Sequence, residues 1–266
     1  MRRERAVVVC LLALAIAGCA SSGGGSRPSS VVDAPAKSNP DDPRTKAAKE
    51  NTELGLGYMR QGKLEIALEK LNKALSADPR YTDAHTVIAV LYEQIGDRAK
   101  AEEHYRRAVQ LRPRSGNENN NYGWFLCNAL GRYDDSAGYF EKAVADPFYQ
   151  TPVVALTNAG SCAIKAGRFD VAERDLRLAL DRDPNQAVAL LGLADVLYRK
   201  NEFFKARAFI QRYEAVGGGS AESLMLGRNI ELRLGNASAA VDYTRRLRER
   251  FPDSEQARML DNPGSS

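Results

Sequence analysis

The chain has 266 residues, 44% of them apolar and 27% charged, a globular balance rather than a disordered one. Its formal charge is +4, and residues 1–18 alone hold three arginines against one glutamate, so the remainder carries +2. That near-neutral balance, with no lysine–arginine block, argues against a nucleic-acid partner.

Met1-Arg2-Arg3-Glu4-Arg5 is a basic start, and Ala6 to Ala17 is an unbroken apolar run of twelve. Such a run is too short for an ordinary membrane-spanning helix and suits a secretory signal. It ends in Ile16-Ala17-Gly18-Cys19, which resembles the lipobox of bacterial lipoproteins. The resemblance implies cleavage before Cys19, a diacylglyceryl group on its thiol and acylation of the new amine. Several acyl chains anchor stably where one binds marginally. An ordinary cleaved signal, with Cys19 an incidental small residue, is the alternative. Ala20, not aspartate, follows the cysteine. By resemblance to the bacterial sorting rule, this points to the outer membrane, with the rest of the chain facing the periplasm.

Residues 19–45 are rich in Ser, Gly, Pro and Ala. They are expected to form a flexible lipidated linker. A flexible chain of about 25 residues has an r.m.s. reach of roughly 28 Å.

From residue 46 a period emerges. Tyr58, Gly62, Ala67, Ala74 and Pro79 return as Tyr92, Gly96, Ala101, Ala108 and Pro113, each 34 positions on. Leu54, Gly55 and Tyr58 share one face of a first helix, and Ala67, Leu71 and Ala74 share one face of a second. Gly62 stands between them, where a helix end often needs a left-handed residue. Pro79 ends the second helix, because it has no N–H and disfavours a helical Asp78 before it. The pattern resembles the tetratricopeptide repeat, in which helix pairs stack because none buries its apolar face alone.

A third unit carries one extra residue between Gly123 and Gly131 and an atypical end, Asp146-Pro147-Phe148-Tyr149-Gln150-Thr151-Pro152. Gly160, Gly167, Ala172, Leu176, Ala179 and Pro184 mark a clear fourth unit. A degenerate fifth (Leu193, Ala194, Leu197, Ala206, Ile210) and a better sixth (Leu226, Gly227, Gly235, Ala240) follow. Gly217-Gly218-Gly219-Ser220 between them is expected to bend or loosen the array. The fold class is therefore all-α, a right-handed superhelix of about six repeats over residues 46–255, with a tail at 256–266. The arginine-rich run from Arg245 to Arg250 reads as a solvated last helix, with an anionic lipid or partner contact as the alternative.

Beyond Cys10 and Cys19, the chain has Cys127 and Cys162. Both fall late in the first helices of consecutive repeats, which are neighbours in such a stack. In an oxidising periplasm a bridge between them is plausible. Two buried free thiols are the competing reading.

Catalysis finds no support. Only His85 and His104 could serve as imidazole bases, and both read as packing or surface residues. No metal-ligand spacing, nucleophile elbow or phosphate-binding loop occurs, so neither a cofactor nor a small-molecule substrate is expected.

Binding is expected in the groove lined by first helices. The period puts Asn117, Asn120, Asn121 and Trp124 of the third unit there, with Thr157, Asn158 and Ser161 of the fourth. Asparagine both donates to and accepts from an extended backbone, and aromatic anchors dominate many interfaces. Helix capping plus a packed Trp is the alternative. Leu56 and Met59 of the first unit offer a second, apolar surface.

Asn120-Asn121-Tyr122-Gly123-Trp124-Phe125-Leu126-Cys127 followed by Gly131-Arg132-Tyr133 resembles the third repeat of the type IV pilus biogenesis and stability lipoproteins, the PilW/PilF family. Arg212-Tyr213-Glu214, the segment Ala221 to Gly227 and the segment Leu247 to Ser254 fit that family's fifth and sixth repeats. The resemblance covers about four fifths of the chain. It implies a pilotin: a non-catalytic outer-membrane lipoprotein that binds the pilus secretin subunit and supports its localisation and multimerisation. An adaptor for another envelope machine is the runner-up, and an enzyme hidden on the repeats is a third reading.

Overall fold

The computed structural model describes residues 39–261. The expected signal peptide, Cys19 and most of the linker lie outside the described residues.

Six helix pairs follow one another. They are α1 (Pro43–Arg60) with α2 (Leu64–Ala77), α3 (Thr82–Ile95) with α4 (Arg98–Leu111), and α5 (Gly116–Asn128) with α6 (Tyr133–Ala145). Then come α7 (Pro152–Lys165) with α8 (Phe169–Arg182), α9 (Ala187–Arg199) with α10 (Phe203–Ala215), and α11 (Ala221–Arg233) with α12 (Ala237–Arg250). These pairs are units one to six. A short α13 (Glu255–Asp261) follows, so the segment expected as a tail is partly helical. Its Ala257 is buried against Leu224, Tyr243 and Leu247, closing the apolar end of the stack. The other end stays open: Leu54 is 52% exposed, because no earlier unit among the described residues covers α1.

Each pair is built around a small residue facing a large one. A Cβ added at Gly55 would come within 2.6 Å of Leu71, and one at Gly160 within 2.5 Å of Leu176. Only a bare backbone lets those helices approach so closely. The prolines act as expected. Asp78 and Asp183, each before a proline, leave the helix with extended backbones.

The turns within units share a closure. In units one, two, four, five and six the N–H of the residue after the left-handed position bonds a carbonyl five residues back, as in Lys63 to Tyr58 and Arg168 to Ala163. The left-handed position is Gly62 in unit one (φ 73°) and Asn201 in unit five (φ 61°). Asparagine tolerates that conformation, so the degenerate fifth unit keeps a regular turn.

First helices also touch along the array: α1 with α3, α5 with α7, α7 with α9, and α9 with α11. Second helices make no comparable contact with one another among the described residues. The first helices therefore form the crowded inner wall, and the second helices form a splayed outer layer.

The Gly217 to Ser220 join is not loose. A Cβ on Gly218 would meet the Tyr213 carbonyl oxygen at 2.4 Å and the Tyr213 ring at 2.5 Å, and the Arg250 guanidinium packs on Gly219. Ser220 then caps α11, its hydroxyl accepting from the Ser223 N–H in a capping box. Gly218 and Gly219 are there for close packing, and Gly217 for its left-handed backbone (φ 85°).

Candidate functional site

Unit three departs from the rest in the turn. The Arg132 N–H reaches back six residues to the Leu126 carbonyl, at 2.8 Å, where every other unit spans five. The extra residue is therefore absorbed between α5 and α6, and Phe140 still packs on Gly123. The loop from α6 to α7 is also long, covering 146–151. It folds back on the start of α5. Asp146 Oδ2 accepts from the Gly116 N–H at 2.7 Å, and the Tyr149 ring lies so close to Gly116 that a Cβ there would sit 2.4 Å away.

These irregularities surround the two cysteines. Cys127 on α5 and Cys162 on α7 come to bonding distance, with S–S 1.97 Å and Cα atoms 6.0 Å apart. Both are buried, against Phe140 and the inner face of Trp124. The pair thus ties two first helices together under the only tryptophan. Lys165 of α7 places its ammonium 5.6 Å from the Trp124 ring and donates to Asn128 Oδ1.

The predicted partner residues separate by exposure. Asn117 is exposed, and Asn121, Trp124, Asn158 and Ser161 are half-buried on the inner wall. Asn120 and Thr157 do not face open groove. Asn120 is buried and its Oδ1 accepts from Asn158 Nδ2 at 3.0 Å, while the Thr157 hydroxyl turns to the Val153 and Val154 carbonyls. Helix packing has already consumed these polar groups. Asn119, also buried, donates to the Pro113 and Ser115 carbonyls and so ties the first turn of α5 to the loop before it. The asparagine run therefore divides: two residues build the wall and two present it. Leu56 is half-buried, and Met59 packs on the cluster of Ala67, Leu71, Ile88 and Leu91. The open apolar group of α1 is instead Leu54.

Two concavities went unread in the sequence. One, of about 430 Å³, runs along the inner wall over α7, α9 and α11. Ser161, Ile164, Val188, Leu191, Asp195, Glu222 and Leu226 line it. A signal existed, since Val154, Val188 and Glu222 recur 34 apart. The other, of about 370 Å³, lies on the outer layer between α6 and α8. Its floor is Leu156, Ala159 and Cys162 of α7, and Phe140, Val144, Val171 and Leu178 wall it. It opens where α6 and α8, like the other second helices, leave the face of a first helix uncovered between them.

His85 and His104 meet each other, Nδ1 to Nδ1 at 3.0 Å. His85 Nε2 lies 3.1 Å from the Pro79 carbonyl, which only accepts. The neutral pair therefore has His85 donating to Pro79 and His104 donating to His85. Burial lowers the His85 imidazole, and burial followed by the charge of His85 pushes His104 down to about 4. Among the described residues, no group of three or more His, Cys, Asp or Glu could hold a metal ion. Three of the four arginines of α12 are paired with carboxylates. Arg245 pairs with Asp242 and Glu249, Arg246 with Glu214, and Arg248 with Asp261.

The chain matches the tetratricopeptide-repeat family over residues 52–116, 163–230 and 223–254. It is 31% identical to the type IV pilus assembly protein PilF of Pseudomonas aeruginosa over 250 residues, 94% of this chain and 95% of that protein. An uncharacterized protein of Haemophilus influenzae is 32% identical over 53% of this chain and 78% of its own length. Among solved structures, PilW, described as a widely conserved type IV pilus biogenesis factor, aligns with TM-score 0.74 and 36% identity. That alignment covers 80% of this chain and 97% of PilW. The Pseudomonas aeruginosa PilF structure aligns with TM-score 0.73 and 29% identity over 83% and 99%.

Proposed function

From the premise that the chain belongs to the PilF/PilW family of tetratricopeptide-repeat type IV pilus biogenesis proteins, we propose that it acts as a pilotin, binding the pilus secretin subunit along its inner wall. The observation that carries this reading is the end-to-end relation to PilF, 94% of this chain against 95% of that one. A partial match would fit any helical-repeat adaptor. The inner wall supplies the means: half-buried Trp124 beside Asn121, Asn158 and Ser161, on helices that Cys127 and Cys162 hold in register. A scaffold of stacked helix pairs suits holding a protein partner. Lipid on Cys19 anchors the chain to the outer membrane, and the linker lets the repeats reach into the periplasm.

Deleting the gene tests this. Secretin multimers and twitching motility are lost, and secretin subunits accumulate at the inner membrane. Cys19→Ser leaves the repeats folded and releases the protein from the outer-membrane fraction. Unchanged multimers in the deletion strain would contradict the proposal and favour an adaptor for another envelope machine.

A further inference from the structure

The inner groove over α7, α9 and α11 is one-sided in charge. Ile164, Val188, Leu191 and Leu226 give it an apolar lining, and Val188 is 55% exposed. Among the described residues, the only charged side chains lining it are Asp195 and Glu222. Asp195 has one partner, Arg199, which lies one turn along the same helix and stacks on Phe169. Glu222 is exposed and makes no hydrogen bond or ion pair among the described residues. The repeat positions sharpen the contrast: Glu222 stands where units four and five have Val154 and Val188. An apolar line along the wall thus ends in a free carboxylate.

We propose that this groove takes a short apolar segment of a protein partner bearing one lysine or arginine. The cation sits between Asp195 and Glu222, and apolar side chains cover Val188 and Leu191. This rests on the reading of the inner wall as the partner face. The commitment follows from charge. An uncharged segment laid here would strip water from the unpaired Glu222 carboxylate without a replacement, and an acidic one would add repulsion. A lysine or arginine supplies the missing charge, and its aliphatic stem lies along Leu191 and Leu226.

The test uses the full chain and labelled synthetic peptides of alternating leucine and serine, about twelve residues or roughly 40 Å when extended. Each carries a single central lysine, glutamine or glutamate, and binding is read by fluorescence anisotropy. The lysine peptide binds about tenfold tighter than the glutamate peptide at low salt, and the gap narrows at high salt. Glu222→Lys reverses the order, and Val188→Ser weakens all three peptides alike. Both positions are exposed, so neither change threatens the fold. Equal binding of the three peptides, an order unchanged in Glu222→Lys, or no effect of Val188→Ser overturns the proposal. Because the peptides contain no secretin sequence, this result and the secretin experiments can fail independently.

Discussion

In unit four Gly160 faces Leu176 sixteen residues on, and the turn closes over five residues. In unit three Gly123 faces Phe140 seventeen residues on, and the turn closes over six. The adjacent units share one architecture. Unit four shows what the period is for: it sets a small residue against a large one and repeats the contact. Unit three shows what departures cost and give. Its extra residue and long exit loop are held down by Tyr149, Asp146 and the cysteine pair. Beside them a tryptophan stands on the inner wall and a groove opens on the outer layer.

The largest effect should come from the irregular side of this comparison. Reducing the Cys127–Cys162 pair frees a loop with a sequence separation of 35. In the chain-entropy model that lowers stability by about 4 kcal/mol, read as a shift in the urea midpoint. Thiol titration of the denatured, unreduced protein should find neither of these two sulfurs free. Both free would remove the bridge from the account.

On the regular side, Leu176→Ala should cost about 3 kcal/mol. Leu176 is fully buried between two glycines, Gly160 and Gly192. If the regular contacts set the common scaffold, this loss appears with the cysteines oxidised or reduced. A loss that vanishes on reduction would make the two regions one cooperative device.

A smaller effect concerns unit two, where the histidines meet. An unfolded imidazole titrates near 6.5 and His104 in the fold near 4. Between those values the unfolded chain binds more protons, so stability is full above about 6.5 and falls as pH drops toward about 4. Arg107 opposes protonation of His85, while Glu103 and Asp78 favour it. Urea unfolding followed across that window should show the decline, and His104→Gln should flatten it. An unchanged slope would mean the pair is not held neutral.

Much of the fold was legible because its signals are local. A proline 34 residues after another marks a helix end wherever the helix packs, and a glycine between helices marks a turn. Asn201 was harder, since only its backbone shows that it does the work of Gly62. The tightness of Gly217 to Ser220 could not be read, because it depends on how Tyr213 of the preceding turn folds over Gly218 and on Arg250 arriving from α12. The candidate site was half legible. Periodicity placed Asn121 and Trp124 on the inner wall, and Cys127 opposite Cys162. It could not say that Asn120 and Thr157 would spend their polar groups on neighbouring helices, nor that His85 and His104 would meet. Those outcomes depend on how each helix is rotated, which composition and spacing leave open. The two grooves are shapes left on the surface of packed helices, which the spacing of residues along the chain does not record.

In-cell photocrosslinking tests the central claim most directly. A crosslinker replaces Trp124 on the inner wall and, in a parallel strain, Val171 in the outer groove. The account predicts that position 124 captures the pilus secretin subunit and position 171 does not. Capture of the secretin only from 171, or of another envelope protein from 124, would contradict it.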